Sequence, residues 1–292
     1  MLTLNYPQKQ SVAFSNTLFR LYEIAKDTDE DEINFDLSRS ESLTPFGIIM
    51  LTATVAECLH RRKQCLYQAP QKSEFKRFLT DIGFHEYFGL ADKQGKGVGN
   101  IIETGAVQLR RVDGLNPMII DTLIEILDYH LKISPGVKGS LQMSLLETMQ
   151  NVVDHSEVES YYICCWNYPY KREIRLCITD LGIGIRASLA KNKEYASLTN
   201  HHEAIIRATD EGVSSRSGRD GLGLAHIKQF LRVNKGRMCI ISGRGKVFWK
   251  FDQGKMLKQS MSQFFNGTIV KLIINTGKEG FYFLTSEEEY LF

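Results

Sequence analysis

Three groups of residues have the types and spacing that handle a phosphorylated ligand. The first is Glu147-Thr-Met-Gln-Asn151-Val-Val-Asp-His155, in which a carboxylate, an amide and an imidazole recur every four residues. On a helix that spacing stacks the three on nearly one face, and Leu145, Leu146, Met149, Val152 and Val153 supply the apolar remainder. A carboxylate there can take a proton from a water or hydroxyl, and an amide oxygen can ligate a hard cation. Taken alone, the series is also what a solvated helix face looks like. The second group, Asp180-Leu-Gly182-Ile-Gly184, ends an apolar run with a carboxylate and follows it with two glycines, so the backbone can turn sharply and approach a ligand. The third, Gly218-Arg-Asp-Gly221-Leu222-Gly223, is glycine-rich chain feeding a helix, where N–H donors and the positive dipole end suit phosphate. Alone, these two are an ordinary turn and an ordinary hinge. Arg216 and Arg219, just before the third group, are either phosphate-reaching cations or solvated loop charges.

The elements that must position these groups follow from periodicity and breakers. Residues 33–37 alternate as a strand, and Thr44-Pro45 opens a helix running to about Arg61, with Thr44 as N-cap and Pro45 where a missing N–H costs nothing. Residues 65–68 give a second strand, and 73–82 a second helix closed by Gly83. A glycine-bearing loop over 89–98 and a strand over 107–111 complete a first α/β unit, residues 1–112. The second unit, residues 113–292, starts with a long helix over 118–131. After a Ser134-Pro135-Gly136 break comes a second helix over 138–154, which carries the first group. Residues 161–168 and 174–179 read as a hairpin, followed by a long polar stretch over 186–220 and a helix over 222–232. Strands at 238–242, 247–251 and 268–274 close the unit.

The ordered series of Glu147, Asn151 and His155, then Asp180, Gly182 and Gly184, then Gly218, Gly221 and Gly223, then Gly267-Thr268 in a late strand resembles the nucleotide-binding boxes of the GHKL ATPases, the histidine-kinase-like superfamily. The resemblance covers residues from about 117 to 275. It implies a Bergerat-type α/β sandwich, with helices on one face of a mixed sheet, that binds ATP and magnesium. Asn151 would ligate the magnesium, and Glu147 would act as general base. Asp180 would accept a hydrogen bond from the adenine amino group, beside Gly182 and Gly184. Gly218, Gly221, Leu222 and Gly223 would face the phosphates, and Thr268 would support the base. His155 would line the phosphate side or pack at the helix end. Residues 33–88, with Asp36-Leu37-Ser38 and Leu43-Thr44-Pro45-Phe46-Gly47, resemble a STAS-like domain, although Phe46 stands where the anti-sigma-factor antagonists carry a phosphorylatable serine. The implied fold class is therefore α/β (α+β). The implied function is that of a regulatory protein that hydrolyses ATP or passes its phosphate to a Ser/Thr of a partner, in the manner of anti-sigma-factor serine kinases. The alternative is a conformational switch with little turnover. His85-Glu86 and His202-Glu203 do not sit on a long helical hairpin, which argues against an autophosphorylating sensor kinase.

Composition sets the frame. A chain of 292 residues with 43% hydrophobic and 24% charged residues is that of a globular protein with room for two cores. A net charge of +2 gives no electrostatic case for nucleic acid or an anionic membrane. The N-terminus lacks a basic segment followed by an apolar one, and residues 46–59 are too short to span a bilayer and contain Glu57. None of the 6 cysteines forms a CxxC pair, so buried free thiols and a cytoplasmic location are expected. A regulatory protein partner is expected, and a homodimer is left open.

Overall fold

The computed structural model describes residues 1–8, 14–84, 107–155, 160–213 and 223–277. Strands β1 (Leu2–Asn5), β2 (Glu32–Asp36) and β3 (Gln64–Gln68) form a parallel sheet in that order. Parallel neighbours require a crossover after each strand. Helices α1 (Phe14–Asp27) and α2 (Pro45–His60) are those crossovers, and α3 (Ser73–Asp81) follows β3. The start of α2 is as expected: Thr44 Oγ1 accepts from the Gly47 N–H at 3.3 Å, with Pro45 in the first turn.

Along α2 only Ala56, Leu59 and His60 escape burial. A helix apolar on every side must be covered on every side, and α2 achieves this by lying between two sheets. The second sheet holds β4 (Val107–Asp113), β5 (Ser160–Tyr168), β6 (Glu173–Asp180), β7 (Arg237–Lys250) and β8 (Lys255–Asn275), in the order β4-β5-β6-β8-β7. All its pairings are antiparallel, where a mixed sheet was expected. Helices α4 (Pro117–Leu131), α5 (Pro135–His155) and α8 (Gly223–Asn234) cover one face and share its core with Ile174, Leu176 and Ile178. The other face is covered by the first unit. Phe19 of α1 meets Phe265, the Cys164 thiol donates to the Pro45 carbonyl at 3.5 Å, and Phe78 of α3 stands 5.2 Å from Trp166. One cluster of buried residues therefore runs from Leu4 and Phe35 through α2 into Cys177, Ile241 and Ile269. Short helices α6 (Gly184–Leu189) and α7 (His201–Arg207) pack at the β7 end.

The chain is thus α+β, with a three-stranded parallel sheet and a five-stranded antiparallel one. Several elements differ from expectation. The strand read over 107–111 as part of the first unit is β4, which pairs with β5 of the second sheet. Helix α5 starts at Pro135 because Ser134 caps it, its Oγ accepting from the Val137 N–H at 3.2 Å, so the presumed break is an N-cap followed by proline. The stretches at 238–242 and 247–251 are one strand, β7, and β8 runs far beyond 268–274. Strand β1, helix α1 and the helices within 186–220 were not foreseen. The loop over 89–98 and His85-Glu86 lie outside the described residues. The cysteines are free, with Cys65 half-buried and the other five buried.

Candidate functional site

Side chains on a strand alternate between faces, and the register of three adjacent strands builds the site. On the face under α4, α5 and α8, Leu176, Leu272 and Met238 form one transverse row on β6, β8 and β7, and Ile178, Val270 and Ile240 form the next. The following row on that face is polar: Asp180, Thr268 and Ser242. Two apolar rows thus lead to a carboxylate and two hydroxyls side by side at the end of the sheet.

Asp180 is buried, with 4% of its surface exposed. Burial pushes its carboxyl up to about 7, and N–H groups of Gly182 and Thr268 donating to it pull the other way. The Gly182 N–H reaches Oδ1 at 2.8 Å. Ser242 ties the row together: its hydroxyl donates to the Gly267 carbonyl at 2.9 Å and accepts from the Ile185 N–H at 2.9 Å, and the Thr268 hydroxyl lies 3.5 Å away.

Two glycines wall this cluster at positions no other residue would fill. Gly267 has φ +91, and a methyl there would collide with the Asp180 backbone carbonyl. Gly184 has φ +77, and a methyl would stand 2.7 Å from Ser242 Oγ and 3.2 Å from the Gly267 carbonyl oxygen. The structure therefore brings Asp180, Gly182, Gly184 and Thr268 together. Gly267, part of the same ordered series in the sequence, lies with them, and Ser242 joins them without having been singled out. The sequence signal for Ser242 was one hydroxyl closing an apolar strand just before Gly243.

A second cluster lies between α5 and α8. A methyl on Gly223 would stand 3.0 Å from the Ser144 carbonyl oxygen and 3.1 Å from Glu147 Cβ. The glycine thus lets the start of α8 lie directly against Glu147. Glu147 and Asn151, both half-buried, are one turn apart on α5. This cluster shares a core with the polar row through Leu145 and Met149, which lie in one hydrophobic cluster with Ile178 and Ile240. Gly218, Gly221, Leu222, Arg216, Arg219 and the side chain of His155 lie outside the described residues.

Helix α8 also ties down the segment after α7. Lys228 Nζ donates to the Thr209 carbonyl at 3.2 Å and hydroxyl at 3.1 Å, and pairs with Asp210 at 3.5 Å. At the start of α7, His201 lies over Gly243, where a methyl would strike its ring. Burial, then the nearby Arg186, holds the His201 imidazole below its usual range. Among the described residues no group of three or more His, Cys, Asp or Glu side chains could hold a metal, and no helix is long and apolar enough to cross a membrane. No protein-family model matches the sequence, and no curated protein matches it.

Proposed function

We propose that this chain binds ATP with magnesium, as a regulatory protein of the histidine-kinase-like ATPase superfamily. The observation that carries the reading is the buried carboxylate of Asp180, set among glycine backbone and two hydroxyls at the end of three strands. Such a carboxylate is costly to bury in its charged form, and the Gly182 and Thr268 N–H groups leave acceptor lone pairs over for a further donor. The exocyclic amino group of adenine is such a donor, and guanine presents a carbonyl there instead. Gly184 and Gly267 let the Ser242 hydroxyl, the Gly267 carbonyl and the Asp180 backbone close up beside the carboxylate, and the Thr268 and Ser242 hydroxyls would hold water around the base. The antiparallel sheet with three helices on one face suits a Bergerat-type sandwich. The parallel sheet, with α2 opening at Thr44-Pro45, suits a STAS-like unit.

Triphosphate would extend from this pocket toward α5 and α8. Gly218, Gly221, Leu222 and Gly223 would offer backbone N–H groups at the start of α8. Asn151 would give one amide oxygen to magnesium, which would neutralise phosphate charge. Glu147 would take the proton from a water, or from a Ser/Thr hydroxyl of a partner protein, as that oxygen attacks the γ-phosphorus and the bond to the β,γ-bridging oxygen breaks, with ADP leaving. The apposition of Glu147 and Gly223 supports this role. The Lys228 tie of α8 to Thr209 and Asp210 supports a second reading, in which ATP at the start of α8 shifts that helix against this segment and alters partner affinity with little turnover.

Competition between ATP and GTP, each with magnesium, tests the site. ATP should displace a labelled adenine nucleotide while GTP does not, and equal displacement would refute the adenine assignment. Labelled γ-phosphate release, with and without Glu147→Gln, separates the two modes. Turnover that vanishes in the variant supports the enzyme, and binding without turnover in the wild type supports the switch.

A further inference from the structure

The first six residues of β8 are exposed one after another: Lys255, Met256, Leu257, Lys258, Gln259 and Ser260. On one edge they pair with β7, from Lys250 opposite Lys255 to Gly245 opposite Ser260. On the other edge β6 pairs with β8 only from Thr268 onward, so among the described residues no strand lies along 255–260. Such an edge presents a row of N–H and C=O groups, a template for one more strand. A tight turn over 251–254 joins the two strands, and Val247 and Trp249 of β7 are buried in the core under α4, α5 and α8. The edge is therefore already held in place, which cuts the ordering cost of binding.

Charge says what the added strand must carry. Residues 244–260 hold Arg244, Lys246, Lys250, Lys255 and Lys258 against the single acid Asp252, an excess of +4 in a chain whose whole net charge is +2. Asp252 is engaged by Arg237 at 3.3 Å. Lys250 and Lys255 stand directly opposite each other, and like charges so placed destabilise a hairpin. Among the described residues neither Lys255 nor Lys258 has a carboxylate partner. A second copy of this chain would set the same lysines against each other, which opposes self-pairing. An acidic strand relieves the repulsion.

The order of side chains narrows the partner further. Alternation puts Lys255 and Leu257 on one face of the strand and Met256 and Lys258 on the other, with Met256 44% and Leu257 49% exposed. A strand laid alongside meets lysine, apolar, apolar, lysine, a pattern that reads the same in either direction. Its complement is acid, apolar, apolar, acid. We infer that residues 255–260 are a docking edge for an extended acidic segment of a partner protein, which joins the sheet as a further strand with carboxylates opposite Lys255 and Lys258 and apolar side chains against Met256 and Leu257. No residue of the polar row belongs to this edge, so the inference does not depend on what binds there.

Binding of labelled peptides to the full chain, followed by fluorescence anisotropy, is the test. The peptide Thr-Glu-Val-Ile-Glu-Thr should bind, and Thr-Lys-Val-Ile-Lys-Thr should not. At saturation, hydrogen exchange of backbone amides within 255–260 should slow at least about fivefold, as expected for gaining one ordinary hydrogen bond. Lys255→Glu combined with Lys258→Glu should weaken the acidic peptide at least about tenfold and let the lysine peptide bind in its place. An acidic peptide methylated on its Val and Ile backbone nitrogens should lose binding to the wild type, and this carries the test if the double variant does not fold. No binding of the acidic peptide up to about 1 mM overturns the inference, as does equal binding of the acidic and lysine peptides. Retained binding of the methylated peptide, or displacement of the acidic peptide by oligothymidylate as readily as by itself, would mean a site for any polyanion and also overturns it.

Discussion

Asp180 carries the chemistry of the proposed site because it is a carboxylate that burial has made reluctant to ionise, with its carboxyl pushed up to about 7. Accepting a hydrogen bond from adenine favours the charged form, so binding at lower pH must first expel a proton. Mg-ATP affinity should therefore weaken about tenfold between pH 8 and pH 6, and calorimetry at pH 6 in buffers of differing ionisation enthalpy should show proton release. The opposite trend would mean that the neutral acid does the binding. The same shift lowers the stability of the ligand-free protein as pH rises from the usual carboxyl range to about 7, because the unfolded chain gives up the proton first. Gly267→Ala combines a left-handed backbone at φ +91 with a methyl driven into the Asp180 carbonyl. It should cost roughly 2 kcal/mol or more and abolish nucleotide binding. A variant that melts and binds like the wild type would show that the wall is not rigid.

At the scale of elements, the packing of α8 on α5 decides whether the second cluster exists. Gly223→Val would place a branched side chain where even a methyl stands only 3.0 to 3.2 Å from Ser144, Glu147 and Thr148. Overpacking of this kind costs about 1 to 3 kcal/mol. Thermal unfolding should register that loss, together with weakened triphosphate binding and nearly unchanged binding of adenosine. Adenosine binding that falls as far as ATP binding would argue against two separable clusters. The helices and strands bearing these groups were legible where a single local rule governs them. Thr44-Pro45 announced α2, and the four-residue recurrence announced the Glu147 and Asn151 stripe. Ser134-Pro135 carries the same capping chemistry as Thr44-Pro45, and was misread because Gly136 made it look like a break. The polar row could be read only in part. Asp180 and Thr268 were visible, whereas Ser242 enters through cross-strand register, which is set by pairing partners and not by local sequence.

At the scale of the whole molecule, the two units share one core. Helix α2 has no polar face, a pattern that already means burial, but sequence alone does not say against what. Its second cover is the sheet of the other unit, whose Phe265, Ile269, Ile241 and Cys177 lie in the same cluster. A chain of residues 107–292 would expose that face, at roughly 1.5 to 3 kcal/mol for each large apolar side chain uncovered. It should be aggregated or molten by size-exclusion chromatography and near-UV circular dichroism, whereas the full chain should unfold in one transition. A soluble, cooperatively folded fragment would show the interface to be dispensable. The central claim is that Asp180 receives the adenine of ATP, and titration calorimetry of Mg-ATP into the wild type and Asp180→Asn tests it most directly. Saturable binding by the wild type and at least about a tenfold loss in the variant, the loss of a buried charge-assisted hydrogen bond, is the predicted result. Equal affinity in the two proteins, or no binding by the wild type, would contradict it.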